Sequence, residues 1–212
     1  MTEVDIAMTP VRLEALVLGP ELNGVRMTPE EFDAVSEWDE AYAYELVHGV
    51  LIANPPPLEQ ERDPNEELGH WLRSYREDHP DGSSLDATLS EQYVGTLDSR
   101  RRADRVIWAG LGRQPDPRAD IPAIVVEFVS QGRRNWQRDY IEKRDEYLAL
   151  GVKEYWLFDR FQRVMTVFRK TETGWTQQVA REGTAYQTDL RPGFELPVGK
   201  LLAVADRWED SA

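Results

Sequence analysis

Three charged residues stand where the sequence pattern favours apolar residues or the start of a strand. Glu127 lies inside the run I-V-V-E-F-V at 124–129, whose β-branched residues predict a strand buried on both faces. An ionised carboxylate there loses several kcal/mol of hydration unless another charge compensates it. Lys143 interrupts the apolar stripe of the helix predicted after this strand, and Asp104 begins the neighbouring run R-V-I-W. These residue types could hold a cation and act on an anionic substrate.

Helix periodicity predicts that Lys143 faces inward. The apolar stripe advances in steps of four, seven and three residues, and Lys143 fills its vacant position among Trp136, Tyr140, Tyr147 and Leu150. A helix that packs back on the preceding strand would bring Lys143 towards Glu127. A structural ion pair, or a lysine that snorkels at the edge of the stripe, explains these two residues equally well.

The third charge, Asp104, favours a cation site. A residue at the start of a strand can point both to the neighbouring strand and to solvent. Two carboxylates and one lysine at one strand edge are costly unless a cation joins them. Mg²⁺ typically takes one or two carboxylates, keeps water and binds a substrate phosphate. A lysine beside it would orient or deprotonate an attacking water and offset charge on the phosphate.

The elements that must position these residues form an α/β pattern. Strand, helix and strand across 123–159 form a βαβ unit, whose right-handed crossover predicts a parallel strand pair. We expect an N-terminal extension at 1–27, one domain at 28–202 and a C-terminal tail at 203–212. The other predicted elements are a capped helix from Thr28, a strand pair at 42–53, a helix at about 64–78, strands near 88–95 and 104–109, a helix from Trp136 to Gly151, and a hairpin around Thr173.

Composition narrows the chemistry. The 212 residues include no cysteine, so a metal would be held by oxygen atoms or by one of three histidines: His48, His70 and His79. We interpret all three histidines as structural, with His70 hydrogen-bonded near the core. No stretch approaches the roughly 18 apolar residues of a membrane helix, and the N-terminus lacks the order of a signal peptide. We therefore expect a soluble, cytoplasmic protein.

The net charge of −14 argues against non-specific attraction to nucleic acid. The excess acid lies in residues 1–99, with 5 Lys+Arg against 22 Asp+Glu, whereas residues 100–160 hold 13 against 10. This central segment contains two arginine clusters, Arg100, Arg101, Arg102 and Arg105, then Arg133, Arg134 and Arg138. A solvated surface and a local anion site both remain possible explanations of these clusters.

Six motifs occur in order along the chain. They are Y-E-L-V-H-G-V-L at 44–51, R-R-A-D-R-V-I-W at 101–108, I-P-A-I-V-V-E-F-V-S at 121–130, D-Y-I-E-K-R-D-E-Y at 139–147, G-V-K-E-Y-W-L-F-D at 151–159 and L-R-P-G-F-E-L-P-V at 190–198. In this order and spacing they resemble the Uma2 family (DUF820), a group of restriction-type endonucleases in the PD-(D/E)xK superfamily. The resemblance covers about residues 28–202. It implies an α/β, restriction-endonuclease-like core, with a mixed central β-sheet flanked by helices and a C-terminal antiparallel hairpin.

The resemblance also implies roles for individual residues. Asp104 takes the place of the first metal-binding aspartate, although Ala103 replaces the usual preceding proline. Glu127 takes the place of the second acid, and the main-chain carbonyl of Phe128 would be a further ligand. Val129 stands where the superfamily has its lysine, and Lys143 from the next helix fits the Uma2 pattern instead. Glu45 matches an acid that lines such sites, although an exposed strand glutamate would look the same.

The implied function is a Mg²⁺- or Mn²⁺-dependent endonuclease that hydrolyses DNA as a homodimer. Arg133, Arg134 and Arg138 would meet the DNA backbone, and Gln131 the scissile phosphate. Two alternatives stay open. The acidic first half of the chain favours a catalytically inactive, nuclease-like homodimeric module with a binding or regulatory role. The same residues would also suit a metal-dependent phosphoesterase that acts on a substrate smaller than DNA.

Overall fold

A mixed β-sheet of eight strands dominates the computed structural model, which describes residues 16–208. The strands are β1 (Val17–Leu18), β2 (Glu37–Trp38), β3 (Ala43–Val47), β4 (Val50–Asn54), β5 (Leu85–Gly95), β6 (Arg100–Ala109), β7 (Ile124–Phe128), β8 (Glu154–Asp159), β9 (Val164–Thr171), β10 (Gly174–Arg181), β11 (Ala185–Thr188) and β12 (Arg191–Pro197). The α-helices are α1 (Pro29–Asp33), α2 (Glu59–Asp78), α3 (Arg133–Gln137), α4 (Arg144–Leu150) and α5 (Val198–Asp206). A π-helical segment (Arg138–Lys143) joins α3 to α4.

The main sheet has the strand order β10-β9-β8-β7-β6-β3-β4, and β5 pairs with β6 outside this path. β7 and β8 are parallel, whereas the other pairs in this sheet are antiparallel. The parallel pair confirms the predicted βαβ unit, and the sheet confirms the mixed α/β class. β9 and β10 form the predicted hairpin, and β11 and β12 add an antiparallel hairpin near the C-terminus.

Helices cover both faces of the sheet. Leu68 of α2 packs with Ile124 and Val126 on one face, and Tyr147 of α4 packs with Val125 on the other. Alternate residues of β7 are thus buried on opposite faces, as its continuous apolar run predicts. Each such side chain contributes about 1.5–3 kcal/mol relative to an exposed one.

The capped helix from Thr28 is confirmed. The Thr28 hydroxyl accepts a hydrogen bond from the Glu31 amide (3.2 Å), and the Glu31 carboxylate accepts one from the Thr28 amide (2.7 Å). The start predicted for α2 at about residue 64 was wrong, because this helix begins at Glu59 and contains Pro64. The Glu61 carboxylate accepts a hydrogen bond from the Leu58 amide (3.1 Å), so side-chain capping starts the helix before the proline.

The helix after β7 also differs from its prediction. It begins at Arg133 instead of Trp136, and its middle is the π segment, which the apolar stripe did not reveal. Gly151 ends it as predicted, with a left-handed backbone (φ 117°) and an amide that donates to the Tyr147 carbonyl (3.2 Å).

The segments outside the predicted domain are partly integrated into the fold. Leu18 and Met27 pack against Leu46 of β3, so the described part of the N-terminal extension covers the β3–β4 pair. The predicted boundary at 202 falls inside α5, and Trp208 Nε1 donates to Asp63 Oδ2 of α2 (2.8 Å). Residues 1–15 and 209–212 lie outside the described residues. No helix within 16–208 combines the length and the apolar composition needed to span a membrane.

The left-handed backbone at Gly151 allows a stability prediction. Gly151→Ala should lower the free energy of unfolding by about 1–2 kcal/mol, since a Cβ is strained at positive φ. Gly183→Ala is the matched control, because Gly183 has an ordinary φ and open space around its Cα. Urea unfolding of both variants measures the effect, and equal stability of the two would contradict it.

Candidate active site

The candidate site lies in a fork of the sheet. One edge of β6 pairs with β7 through Arg105, Val106 and Ile107, and the same edge pairs with β3 through Arg100. Residues 101–104 lie between these two partners. Their main-chain polar groups on that edge therefore need partners other than a strand.

Side chains of the predicted site fill this fork. The Arg102 amide donates to Glu45 Oε1 (2.8 Å), and Lys143 Nζ donates to the Arg102 carbonyl oxygen (3.3 Å). Across the fork, the Phe128 amide of β7 donates to Asp104 Oδ2 (2.6 Å). The interruption in strand pairing thus brings groups from β3, β6, β7 and the π segment together.

Asp104 also interrupts the side-chain alternation of β6. Arg101 and Ala103 pack on the α4 side of the sheet, whereas Arg105 and Ile107 pack on the α2 side. A regular strand would place all four odd-numbered residues on one face. The strand therefore rotates at Asp104, which lets its carboxylate reach sideways to β7.

Glu91 lies opposite Asp104 on β5. The register pairs Ser90 with Arg105 and Gln92 with Ala103, which puts Glu91 across from Asp104. Glu91 has a φ of 53°, an unusual left-handed conformation for a glutamate. Both strands are thus irregular at the same level of the sheet. Local strain of this kind is often found at functional sites.

The Glu127 and Lys143 side chains form a buried ion pair. Lys143 Nζ lies 2.9 Å from Glu127 Oε1 and 3.6 Å from Glu45 Oε1, and the three side chains are almost completely buried. The Tyr147 hydroxyl donates to Glu127 Oε1 (3.2 Å). The π segment, which ends at Lys143, presents the ammonium group to both carboxylates. π segments inside α-helices frequently occur at functional sites.

The pKa values of Asp104, Glu127 and Lys143 are all raised in the folded protein. Burial and the charge of Glu127 raise the pKa of Asp104 well above its usual range. Burial also raises the pKa of Glu127 to about 7, against the opposing effect of Lys143. Burial alone would lower the pKa of Lys143, but the carboxylates of Glu127 and Glu45 outweigh it and raise that pKa. Lys143 is therefore charged at neutral pH.

Glu45 behaves differently from the other two acids. Burial would raise its pKa, but the charges of Lys143 and Arg101 outweigh burial, and the pKa of Glu45 is lowered. Glu45 thus stays ionised beside Lys143. The two acids with raised pKa values, Asp104 and Glu127, are those whose charge an added cation would compensate.

The structure therefore brings together Glu45, Asp104, Glu127, Lys143 and the main chain of Phe128. The basic and polar residues predicted to meet DNA lie outside the fork. Gln131, Arg133 and Arg134 are exposed where β7 leads into α3, at the same end of β7 as Glu127. Arg138 is half-buried and its Nε donates to Asp139 Oδ1 (2.8 Å), so its guanidinium group is already paired.

Sequence reasoning missed several contributors to the site. Tyr147 was interpreted only as an apolar stripe residue, although its hydroxyl binds Glu127. Glu91 and the main chain of Arg102 carried no sequence signal, because their importance depends on the fork. The expectation for His70 was wrong: it is exposed, since it lies beside the buried stripe of α2. His48 lies in the β3–β4 turn, with Nδ1 3.0 Å from Asp98 Oδ2.

The donor atoms fit a hard divalent cation. Two carboxylates and one main-chain carbonyl are all oxygen donors, the type that Mg²⁺ and Mn²⁺ prefer. A strand residue points its amide and carbonyl to the same edge, so the carbonyl of Phe128 faces β6 together with its amide. Residues 16–208 contain no group of three or more His, Cys, Asp and Glu side chains arranged for a metal. A cation here would thus complete its shell with water or substrate, as Mg²⁺ commonly does.

Comparison with known proteins finds one matching family and a solved structure of similar fold. The Uma2 family model, described as "Putative restriction endonuclease", matches residues 29–199. A crystal structure from Anabaena variabilis ATCC 29413, described as "a putative nuclease belonging to DUF820", is similar in fold with a TM-score of 0.63 and 15% sequence identity. The match covers 84% of this chain and 99% of that one. No curated protein sequence matches.

Removal of the buried ammonium group should destabilise the fold. Lys143→Met leaves Glu127 buried without its partner and should lower the free energy of unfolding at pH 8 by about 3–5 kcal/mol. Lys170→Met, on the exposed end of β9, should change it by less than about 0.5 kcal/mol. Adding Glu127→Gln to Lys143→Met should restore most of the loss in urea unfolding. A double variant no more stable than the single one would refute this account.

The raised pKa of Glu127 predicts the pH dependence of stability. Between its usual value of 4.5 and about 7, the folded protein keeps a proton that the unfolded chain releases. The free energy of unfolding should therefore fall as the pH rises through this window in metal-free buffer. Glu127→Gln should show a shallower fall, and thermal unfolding at several pH values in EDTA compares the two. Identical profiles would show that Glu127 titrates normally.

Proposed function

Because the chain belongs to the Uma2 family, we propose that the fork is the active site of a divalent-metal-dependent endonuclease that hydrolyses DNA. The observation that carries the proposal is the convergence of Asp104, Glu127 and Lys143 where β6 separates from β7. This set corresponds to the acid, acid and lysine of a PD-(D/E)xK site. The irregular main chain and the raised pKa values of the two acids support a role beyond stability.

Asp104, Glu127 and the carbonyl of Phe128 would hold the cation, Mg²⁺ or Mn²⁺. A bound cation would neutralise charge on the scissile phosphate and make a coordinated water more acidic. The two carboxylates would position it beside the open side of the fork. Their raised pKa values mean that cation binding releases protons and strengthens as the pH rises.

Lys143 would orient the attacking water and stabilise charge on the phosphate in the transition state. Its raised pKa keeps the ammonium group protonated at neutral pH, so it is a hydrogen-bond donor and a poor proton acceptor. Orientation of the water and stabilisation of charge therefore have better physical support than deprotonation of the water by this lysine.

Glu45 would be a positioning residue. Its carboxylate binds the Arg102 amide and lies 3.6 Å from Lys143 Nζ, so it ties the lysine to the main chain of β6. Its lowered pKa keeps this attachment charged. Arg133 and Arg134 are exposed near the end of β7 and would meet the DNA backbone. Cutting both strands of a duplex is easiest with two sites, which a homodimer would supply.

A cleavage assay tests the proposed site. Purified protein with plasmid DNA and Mg²⁺ or Mn²⁺ should nick or linearise the plasmid. Asp104→Asn and Glu127→Gln should each slow cleavage by about 100-fold or more, the scale of losing one transition-state contact. Glu142→Gln is the control, because Glu142 is exposed beside Lys143 and should leave the rate unchanged.

The other outcomes distinguish the alternative functions. No cleavage together with no heat of Mg²⁺ or Mn²⁺ binding in calorimetry would refute the nuclease and favour an inactive binding module. Hydrolysis of bis(p-nitrophenyl) phosphate without cleavage of DNA would favour a phosphoesterase with a small substrate. Cleavage equal in the wild type and in both acid variants would exclude the fork as the site.

A further inference from the structure

A cleft of about 830 Å³ adjoins the candidate active site. It lies between the segment around α1, β2 and β3 and the strands β5 and β6, with the loop at 117–118 on its rim. This volume is within the range of small-molecule sites and is sufficient for a nucleotide. Nothing in the proposed hydrolysis requires it.

Three exposed aromatic side chains line the cleft. Trp38 is 52% exposed, Tyr42 37% and Tyr93 38%. Tyr93 is nevertheless held in place. Its hydroxyl donates to the Tyr44 carbonyl (2.8 Å), and its ring meets the Phe32 ring edge-on, with 5.6 Å between the two ring centroids. Exposed aromatic rings in a groove are the surfaces on which proteins stack the bases of single-stranded nucleic acid.

The cleft borders the fork at Arg102 and Glu91. Both side chains line the cleft, where Arg102 Nε lies 3.0 Å from Glu91 Oε2. The main chain of Arg102 binds Glu45 and Lys143, and Glu91 stands opposite Asp104. A nucleic-acid strand with one phosphate at the fork would therefore have a neighbouring nucleoside near Arg102 and Glu91, at the wall of the cleft.

The charges of the cleft do not favour a duplex backbone. Its six charged side chains are balanced, three acidic and three basic: Asp33, Glu40, Glu91, Arg100, Arg102 and Arg118. Arg100 is paired with Asp33 (2.7 Å) and Arg102 with Glu91 (3.0 Å). Arg118 has no carboxylate partner within residues 16–208 and is exposed on the rim. The cleft thus offers stacking surface and at most a few phosphate contacts.

We propose that this cleft binds an unstacked base next to the scissile phosphate, so that the substrate is single-stranded DNA or a duplex that is unpaired at the cut site. The inference rests on the proposed nuclease function and specifies its substrate. Trp38, Tyr42 and Tyr93 supply the stacking surface, and Arg118 contacts a flanking phosphate. Recognition by stacking also explains how a chain of net charge −14 can engage a polyanion.

Binding of fluorescent oligothymidylate tests the cleft directly. The measurements use the full chain with Glu127→Gln, which should slow cleavage enough to measure binding, and they follow fluorescence anisotropy in the presence of Mg²⁺. The single strand should bind at least ten-fold more tightly than a duplex of the same length. Trp38→Ala and Tyr93→Ala should each weaken single-strand binding by about five- to one-hundred-fold, the loss of one stacked base. Trp38→Phe, which keeps a ring, should remain within about three-fold.

The matched control is Trp175→Ala on β10, which removes a tryptophan of similar exposure (41%) outside the cleft and should not change the affinity. The logarithm of the binding constant should fall with the logarithm of salt concentration with a slope no steeper than about −2.1, which corresponds to the three phosphate contacts of Arg118, Arg133 and Arg134. A steep slope, equal affinity for single strand and duplex, or wild-type affinity in both cleft variants would overturn the inference.

The binding and cleavage results together distinguish a failure of the cleft proposal from a failure of the nuclease assignment. If the wild type cuts DNA but the cleft variants bind and cut as it does, the cleft proposal fails and the nuclease assignment stands. If the cleft variants lose single-strand binding but the wild type cuts no DNA in any cation, the base-binding cleft stands and the nuclease assignment fails.

Discussion

The branching of one strand edge between two partners is the constraint on which the site depends. β6 pairs with β7 at one end and with β3 at the other, and residues 101–104 are left without a strand on that edge. Buried main-chain groups must still find partners, and here they find Glu45 and Lys143. Satisfying these groups requires charged side chains inside the fold, and those charges in turn require one another. The fork therefore explains both why the site is polar and why it is at this place.

The sequence predicted the members of this site better than their arrangement. Glu127 and Lys143 could be found because each breaks a pattern that burial imposes: Glu127 breaks the continuous apolar run of a strand buried on both faces, and Lys143 breaks the apolar stripe of a helix. Their buried contact at 2.9 Å agrees with that reasoning. Asp104 was singled out by its position at the start of a strand, whereas Glu45 depended on the resemblance to a family, since an acid in the middle of a strand has many explanations. The fork, the π segment and the rotation of β6 at Asp104 arise from tertiary packing, and no local pattern encodes them.

In the rest of the molecule, too, local sequence patterns predicted some elements and missed those that depend on tertiary contacts. The α/β pattern, the parallel β7–β8 pair and the β9–β10 hairpin followed from periodicity and turn residues, whereas the mixed sheet followed from the family resemblance. The early start of α2 did not, because a proline suggested a boundary that the Glu61 cap overrides. The first half of the chain, with its excess of acid, also forms most of the aromatic cleft. Net charge alone would have excluded a role for this half in binding nucleic acid, whereas the placement of its aromatic residues supports one.

The wide spacing of the site residues along the chain affects how the protein folds. The hydrogen bonds in the fork join residues 57, 41 and 24 positions apart. Such contacts form only after long loops have closed, so they belong to the slow, late part of folding. A partly folded chain with β7, α4 and β8 in place would still lack Glu45 and the main chain of β6 beside Lys143. The ionic cluster thus exists only in the completed domain, and a ligand that binds it would favour the native state alone.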